Sequence, residues 1–289
     1  MSNSCKIACA NQVRFWKIDK QMTLTFPLQL DRIRDGVMAQ EAILQAVAKC
    51  FADTIAGGGL VHVYANGHSR VTVEELCVRM GALTGFHPLL SQALSNFTDV
   101  VGSDSLRMNQ AIERFEGLGA KLLDEFEFAG GEPLVVVSAT GQTQAAVDVA
   151  IEFNRRYPHN PLIAITSLRQ SREAPPKHSS VKTLYHVVTG AERGFLLDNC
   201  MPMGDVSVTV EGHETYRVCP LSNIGALTLV HSLNELTIRE LDSRGIKHHV
   251  LQNMHMGKTE VNYDEWLADQ RHRYARALSN PNRLEPIRK

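Results

Sequence analysis

The sequence has few of the features that mark specialised classes of protein. Its 289 residues include only six cysteines, which show neither zinc-ligand pairing nor the density of a disulfide scaffold. Lys and Arg number 30 against 31 Asp and Glu, so no excess of one charge attracts nucleic acid or an acidic membrane. No apolar run reaches the roughly 18–20 residues of a membrane span, and the N-terminus lacks the apolar stretch of a signal peptide. We therefore expect a soluble, cytoplasmic protein with reduced thiols and with no nucleic-acid or membrane partner.

The chain does have enough apolar residues, 44%, to bury a large core. Between residues 37 and about 245, short apolar runs alternate with longer stretches of helical spacing. This alternation predicts an α/β fold with helices on both faces of a parallel sheet. We predict an N-terminal extension over 1–36, one domain over 37–245, and a C-terminal arm over 246–289 with a helix near 263–278. The strand candidates are the unbroken apolar runs at 60–65, 133–137, 162–165 and 195–197.

Two loops that follow strand candidates are rich in small polar residues. Ligands of open α/β sheets bind beyond the carboxyl ends of the strands, so these loops are the first place to look for a site. The second loop combines three hydroxyl side chains with a glycine just before a predicted helix, where free N–H groups and the helix dipole favour an anion such as phosphate. The alternative is that Ser138 or Thr140 is only a helix cap. The loops are Asn66-Gly67-His68-Ser69 and Ser138-Ala139-Thr140-Gly141-Gln142-Thr143.

Common nucleotide-binding and hydrolase motifs are absent from the sequence. It contains no G-x-G-x-x-G after a strand and no G-x-x-x-x-G-K-[ST]. The nearest match to the G-x-S-x-G nucleophile elbow, residues 67–71, lacks the second glycine. These absences weaken dinucleotide-binding, P-loop NTPase and serine-hydrolase interpretations.

The order of the motifs resembles that of a SIS (sugar isomerase) domain. A strand, Gly-His-Ser, a helix with Glu-Glu, a second strand and a Ser-x-[Ser/Thr]-Gly loop follow one another. Further along, residues 164–167, 177–180 and 198–200 are similar to a subfamily of stand-alone bacterial sugar isomerase domain proteins, most of which have no assigned reaction. The resemblance covers residues 37–245. It implies a three-layer flavodoxin-like α/β fold with a five-stranded parallel sheet, phosphosugar binding, and a homodimer or homotetramer.

The resemblance also implies roles for the two loops. The hydroxyls of the second loop hold the sugar phosphate in SIS domains, and the first loop faces the sugar. This sequence departs from the commoner Ser-Asn-Ser-Gly or Ser-Thr-Ser-Gly by having Ala139 and Thr140, which keeps the hydroxyl but adds a methyl group. The predicted substrate-binding residues are Asn66, Gly67, His68, Ser69, Ser138, Thr140, Gly141 and Thr143.

Aldose–ketose isomerisation needs a group that moves a proton next to a carbonyl and a group that assists ring opening; a carboxylate and a histidine suit these tasks. We predict Glu75 as the carboxylate, because the family pattern favours it over Glu74. We predict His178 as the histidine, with His68 as second choice. The alternatives are that Glu75 forms a capping box with Thr72, and that His178 is only a surface-loop residue.

No metal or organic cofactor is predicted. His248, His249 and His255 have no acidic or cysteine partner at a recognised ligand spacing. Lys177 and Lys182 could help to neutralise an anion, although both could equally be ordinary surface lysines.

The leading functional prediction is an aldose–ketose isomerase that acts on a phosphorylated sugar or amino sugar. A non-catalytic phosphosugar sensor or assembly factor is the first alternative, and an amino-sugar phosphate lyase or etherase is the second. In the C-terminal arm, Trp266 and Tyr274 are spaced to share one helix face, and we expect that face to pack on a neighbouring subunit.

Overall fold

The centre of the molecule is a sheet of five parallel strands. The computed structural model describes residues 24–77, 79–94, 101–103, 105–252 and 260–278. The strand order is β2-β1-β3-β4-β5, which confirms the flavodoxin-like α/β fold with a five-stranded parallel sheet. Four of the strands are the predicted apolar runs, and the short edge strand β2 is an addition. The strands are β1 Val61–Ala65, β2 Phe86–Leu89, β3 Leu134–Val137, β4 Leu162–Thr166 and β5 Gly194–Asp198.

Helices connect the strands, and an antiparallel hairpin follows β5 before the longest helix. The predicted helical stretches after residue 40 and after the second predicted strand are confirmed, as are the two near the C-terminal end. The helices are α1 Leu30–Met38, α2 Glu41–Ala56, α3 Arg70–Cys77, α4 Leu106–Ile112, α5 Leu118–Leu123, α6 Gln144–Arg156, α7 Leu168–Glu173, α8 Leu184–Thr189, α9 Ser222–Ser243 and α10 Glu260–Leu278; the hairpin consists of β6 Val208–Glu211 and β7 Thr215–Val218.

Two hydrophobic cores lie on opposite faces of the sheet. Successive side chains of a strand point to opposite faces, so alternate residues of each strand enter different cores. Val63, with its neighbours of the same face, packs against α1, α2, α3 and α9. Tyr64 points the other way and packs with residues of α5, α6 and α8. Because both faces are covered, the central strands are mostly apolar, with His62 of β1 and Thr166 of β4 as buried polar exceptions, and this is why these strands stand out in the sequence.

The chain that flanks the predicted domain is also part of the packed structure. Ile33 and Val37, one helical turn apart on α1, are buried in the same core as α2 and α9. The boundary that we predicted at residue 37 therefore falls inside a helix that contributes to the core.

The C-terminal helix α10 packs on its own chain. The Trp266 indole N–H donates to the carbonyl of Ala82 at 3.1 Å, and the Tyr274 hydroxyl donates to the carbonyl of Phe86 at 2.6 Å. The prediction that these two aromatic residues pack on a neighbouring subunit is wrong. Tyr274 thereby caps a backbone carbonyl of edge strand β2, which would otherwise be open to a neighbouring strand. Trp266 binds just before that strand, at a carbonyl that also accepts the Leu251 N–H.

A buried polar cluster joins β1, edge strand β2 and the residues just before β3. His62 Nδ1 lies 3.0 Å from His87 Nδ1, and His62 Nε2 lies 3.2 Å from Glu132 Oε2. The Glu132 carboxylate also accepts the backbone N–H groups of Leu60 and Ala129 at 2.8 and 2.7 Å. Burial, together with the charge of His62, lowers the pKa of His87 to about 3.

Within the described part of the chain, no helix is both long and apolar enough to cross a membrane.

Candidate functional site

The two predicted loops lie side by side at the carboxyl edge of the sheet. β1 and β3 are neighbours with Ala65 opposite Val137, so Asn66 and Ser138, the next residues, leave the sheet together. Both residues are buried, at 7% and 3% exposed. The strand order reverses at this pair of strands, and such a switch point opens the crevice in which open α/β sheets bind ligands.

The first loop turns directly into α3. Gly67 has φ +57, which a glycine adopts at little cost, and it begins a short turn that ends at Ser69. His68 is exposed, and its carbonyl accepts the Asn223 side-chain amide of α9 at 3.2 Å. Thr72 lies inside α3, which begins at Arg70, so it does not cap this helix. The capping-box alternative for Glu75 is therefore wrong.

The second loop is held in place by the next two strands. The carbonyl of Ala139 accepts the Ser167 N–H and the Asn199 side-chain amide, both at 3.0 Å. Gly141 has φ +68, and its carbonyl accepts the Leu184 N–H at 2.9 Å. The loop therefore makes a tight turn at Gly141 just before the start of α6.

Helix α6 starts at the end of this loop. Thr143 is the N-cap residue, and its side chain forms no capping hydrogen bond. The alternative that Ser138 or Thr140 caps the helix is therefore wrong. The Ala145 N–H is taken by the carbonyl of Glu113 at 2.9 Å. The first turn of the 13-residue helix still carries the dipole that favours an anion.

A cavity of about 470 Å³ opens at this helix end. Its size is within the range of small-molecule sites. Two cationic side chains, Arg114 and Lys177, lie in its wall beside one carboxylate. Of the predicted loop residues, only Thr143 is part of that wall. The lining residues are Gln110, Glu113, Arg114, Thr143, Gln144 and Lys177.

Glu113 is the residue of this wall with the most unusual environment. Its Oε2 accepts the Asn66 side-chain amide at 2.6 Å, which ties the cavity to the first loop. Burial raises the pKa of the Glu113 carboxyl, while the hydrogen bond from Asn66 and the charges of Arg114 and Lys177 act in the opposite direction. The net result is a carboxyl group that holds its proton to a higher pH than a solvated one.

Neither predicted acid–base residue belongs to the cavity wall. Glu75 forms ion pairs with Arg79 at 3.0 Å and with His231 of α9 at 3.6 Å. The neighbouring Glu74 pairs with Arg70 on the exposed side of α3. The contacts of Glu75 therefore direct it toward α9.

His178 is buried beside α6 rather than exposed in a surface loop. Its Nδ1 lies 2.9 Å from the Ser180 hydroxyl, and its Nε2 lies 3.6 Å from Asp148 and 3.8 Å from Glu116. Glu116 also accepts the backbone N–H of Ser179 at 2.7 Å. These contacts fix the segment that follows Lys177, so they position the lysine that lines the cavity.

His248 and His249 are not part of a metal-ligand group in the part of the chain that the structure covers. His248 lies 3.7 Å from Asp242, and His249 lies 3.7 Å from Glu265. His255 is outside the described residues. Across 24–77, 79–94, 101–103, 105–252 and 260–278, no three His, Cys, Asp or Glu side chains are grouped as ligands of an ion.

A second and larger cavity, of about 640 Å³, lies at the opposite edge of the sheet. Five glycines, Arg193 and His272 form much of its wall, and none of the predicted site residues lines it. The smaller cavity is the candidate functional site, because it lies at the carboxyl edge, beside the switch point and a helix N-terminus.

The fold and the position of the cavity together define a class of proteins: doubly wound α/β proteins with a cavity of ligand size beside the switch point. The comparison with protein families is more specific, because the model of the SIS domain matches residues 29–167. This part of the chain therefore matches a SIS domain. A SIS domain implies the binding of a phosphosugar.

The relatives are proteins whose names state no reaction. A UPF0309 protein of Shouchella clausii is 26% identical over 213 residues, which cover 74% of this chain and 81% of the relative. A UPF0309 protein of Caldanaerobacter subterraneus subsp. tengcongensis is 29% identical over 215 residues, which cover 74% of this chain and 79% of the relative. A UPF0309 protein of Streptomyces griseus subsp. griseus is 27% identical over 236 residues, which cover 78% of this chain and 83% of the relative.

One solved structure is also similar, at a low level. It is the Vibrio vulnificus NanR protein complexed with ManNAc-6P, with 13% identity and a TM-score of 0.38 over 94% of this chain and 73% of that chain.

Proposed function

We propose that this protein is an aldose–ketose isomerase that acts on a phosphorylated sugar or amino sugar. The observation that carries the proposal is the cavity at the start of α6, which combines a helix N-terminus, two cations and a partly buried carboxylate. The helix end and the cations suit a phosphate group. A carboxylate beside them suits the proton transfer that interconverts an aldose and a ketose. The proposal includes a cytoplasmic location, which follows from the interpretation of the cysteines as reduced thiols, and a homodimer or homotetramer, which the family resemblance implies.

In this proposal, the phosphate lies at the N-terminus of α6, between Lys177 and Arg114. The loop hydroxyls of Ser138, Thr140 and Thr143 contribute hydrogen bonds, and the first loop contacts the sugar. The cavity supplies the charge balance, because a phosphate dianion meets two cations and the positive helix end. Glu75 and His178 remain predicted acid–base residues. To act on the sugar, each of these two side chains would have to leave its present partners and contact the substrate.

A first experiment measures binding. Thermal unfolding is followed with fructose 6-phosphate, arabinose 5-phosphate and glucosamine 6-phosphate, and with the corresponding free sugars. A ligand present at a hundred times its Kd stabilises the folded state by about 2.7 kcal/mol, which raises Tm by several degrees. A shift with a phosphosugar but not with its free sugar supports the anion site, and equal shifts contradict it.

A second experiment locates the phosphate. Lys177→Met removes one charge-assisted contact, which is worth about 1.5–3 kcal/mol, so affinity for the phosphosugar should fall roughly tenfold or more. Lys121→Met is the matched control, because Lys121 is exposed and pairs with Asp124 outside the cavity. The double variant Ser138→Ala, Thr140→Ala should also bind more weakly. If both Lys177→Met and the double variant bind the phosphosugar as tightly as the wild type, the phosphate does not bind in this cavity.

The position of Glu75 favours one competing function, a non-catalytic phosphosugar-binding protein. The carboxylate that the family pattern singles out is engaged with Arg79 and His231 instead of lining the cavity. Such a protein would give the same thermal shifts but would not interconvert aldose and ketose. An assay of turnover by NMR on a phosphosugar that binds separates the two functions.

A further inference from the structure

Glu113 joins the two ligand-binding loops. It follows α4, and its backbone carbonyl accepts the Ala145 N–H in the first turn of α6. Its side chain accepts the Asn66 amide of the first loop at 2.6 Å. One residue thus contacts the segments that follow β1 and β3, on either side of the switch point. This places its carboxylate between a phosphate at α6 and a sugar at the first loop.

One oxygen of the Glu113 carboxylate is available to contact a ligand in the cavity. Oε2 is engaged by Asn66, whereas Oε1 makes no hydrogen bond to any residue that the structure describes. The side chain lines the cavity beside Lys177 and Arg114, and it is neither fully buried nor fully exposed. Burial raises the pKa of this carboxyl, which makes it a stronger proton acceptor than a solvated carboxylate.

We infer that Glu113 is an acid–base residue of this site, and that its carboxylate moves the proton between the two carbons of the bound phosphosugar that change oxidation level. The inference rests on the proposed isomerase function and names a residue that the sequence alone does not single out.

The reaction step is balanced without a co-reactant. Glu113 takes the proton from carbon 2 of the aldose; the electron pair of the broken C–H bond forms the C1–C2 double bond, and the carbonyl electrons move to O1. The proton then returns from Glu113 to carbon 1, where a new C–H bond forms. The proton of the O2 hydroxyl moves to O1, and carbon 2 becomes the carbonyl. Aldose and ketose contain the same atoms and electrons, so no oxidant or reductant is needed.

The competing role for Glu113 is purely positional. The carboxylate could serve only to orient Asn66 and to anchor the start of α6. Glu113→Gln separates the two roles, because the amide oxygen of glutamine still accepts a hydrogen bond from Asn66 but cannot accept the substrate proton. Glu113→Asp is a second variant that retains the carboxylate on a side chain one methylene shorter.

The experiment measures proton exchange directly. Fructose 6-phosphate, arabinose 5-phosphate and glucosamine 6-phosphate are incubated with the full-length protein in D₂O, and deuterium at the carbon next to the carbonyl is followed by NMR. Glu113→Gln should lower the exchange rate at least about a hundredfold, while the thermal shift with the same phosphosugar changes little. Glu113→Asp should recover part of the rate. Glu173→Gln is the control; it changes an exposed carboxylate that pairs with Arg169 and Arg172, and it should exchange at the wild-type rate.

Each other outcome overturns a defined proposal. If the wild type exchanges and Glu113→Gln exchanges equally fast, the inference is wrong and the isomerase proposal stands. The inference also fails, and the isomerase proposal still stands, if Glu113→Gln raises KM without lowering kcat, which indicates positioning alone. Loss of exchange in Glu75→Gln but not in Glu113→Gln has the same consequence. If the wild type binds a phosphosugar without exchange, both the isomerase proposal and this inference fail.

Discussion

Replacing Gly141 by alanine tests how tightly the second loop is built. The backbone there has φ +68, in the left-handed region, where an alanine costs about 1–2 kcal/mol relative to glycine. An added Cβ would also lie only 2.7 Å from Thr166 Oγ1, and closer still to Ser171 Oγ. Both neighbours are fully buried, and Ser171 Oγ accepts the Tyr185 N–H at 3.0 Å. Relief of the overlap must therefore displace the loop or break that hydrogen bond, and overpacking of this kind typically costs about 1–3 kcal/mol.

Gly245→Ala is the matched control for this substitution. Gly245 follows α9 with φ +65, nearly the same conformation, and nothing lies within 4 Å of the position of its Cβ. Gly245→Ala should lower the free energy of unfolding only by the cost of the left-handed backbone conformation, about 1–2 kcal/mol. Gly141→Ala should lose about 2–5 kcal/mol, so the difference between the variants isolates the crowding beside Thr166 and Ser171.

Urea unfolding at neutral pH measures both free energies, and the phosphosugar thermal shift measures the effect on the site. The Gly141 variant should give a smaller shift than the wild type, because its loop is displaced, whereas the Gly245 variant should give the full shift. Equal destabilisation of the two variants would refute the close packing of the loop. An unchanged ligand shift in the Gly141 variant would refute the assignment of this loop to the phosphate.

The buried cluster and the C-terminal helix give three further predictions. Because the folded pKa of His87 is about 3 and the unfolded one about 6.5, the unfolded state binds more protons between these values; stability should therefore fall as pH drops from 6.5, by up to about 1.4 kcal/mol per pH unit. His87→Phe should weaken this dependence in urea titrations at pH 7.5 and 5, and parallel losses in both proteins would contradict it. Glu132→Ala should cost about 3–5 kcal/mol, since it leaves His62 and two backbone N–H groups without their buried acceptor; a loss below about 1 kcal/mol by the same titration would argue against the cluster. Trp266→Ala should cost about 3–5 kcal/mol regardless of protein concentration, whereas a loss that disappears on dilution would place this side chain at a subunit contact.

The sequence predicted the parts of the fold whose environment is uniform along the chain. β1, β3 and β4 are covered on both faces, so each is a mostly apolar run that could be recognised directly. β2 was missed because an edge strand needs less apolar surface and tolerates a proline, here Pro88. The hairpin after β5 was missed although Val206, Val208 and Val210 alternate with polar residues at strand spacing. Its strands are almost wholly exposed, so they contain no unbroken apolar run of the kind used to find the other strands.

The site was predicted where its residues follow strands and missed where they come from a distant segment. The loops at Asn66 and Ser138 could be located, because parallel neighbours bring their carboxyl ends together. In the sequence, Glu113 stands between an isoleucine and an arginine in a stretch that is typical of a solvated helix end. It becomes half-buried only when α6 docks on its carbonyl and Asn66, 47 residues earlier in the chain, donates to its side chain. A single sequence gives no signal for a contact of that separation.

Lys177 could likewise be singled out from the sequence but not placed. It begins a polar segment that resembles the family, and its charge made an anion contact plausible. Its position in the cavity depends on His178 and Ser179, which bind Asp148 of α6 and Glu116 after α4. Thus the loop between α7 and α8 is attached to the same helix end that receives the phosphate in our proposal. A substitution that frees this loop, such as Glu116→Ala, should therefore weaken phosphosugar binding although Glu116 does not line the cavity, and isothermal titration against Lys177→Met would show whether the two losses are additive. Losses that add fully would mean that Glu116 acts independently of Lys177, which would contradict this coupling.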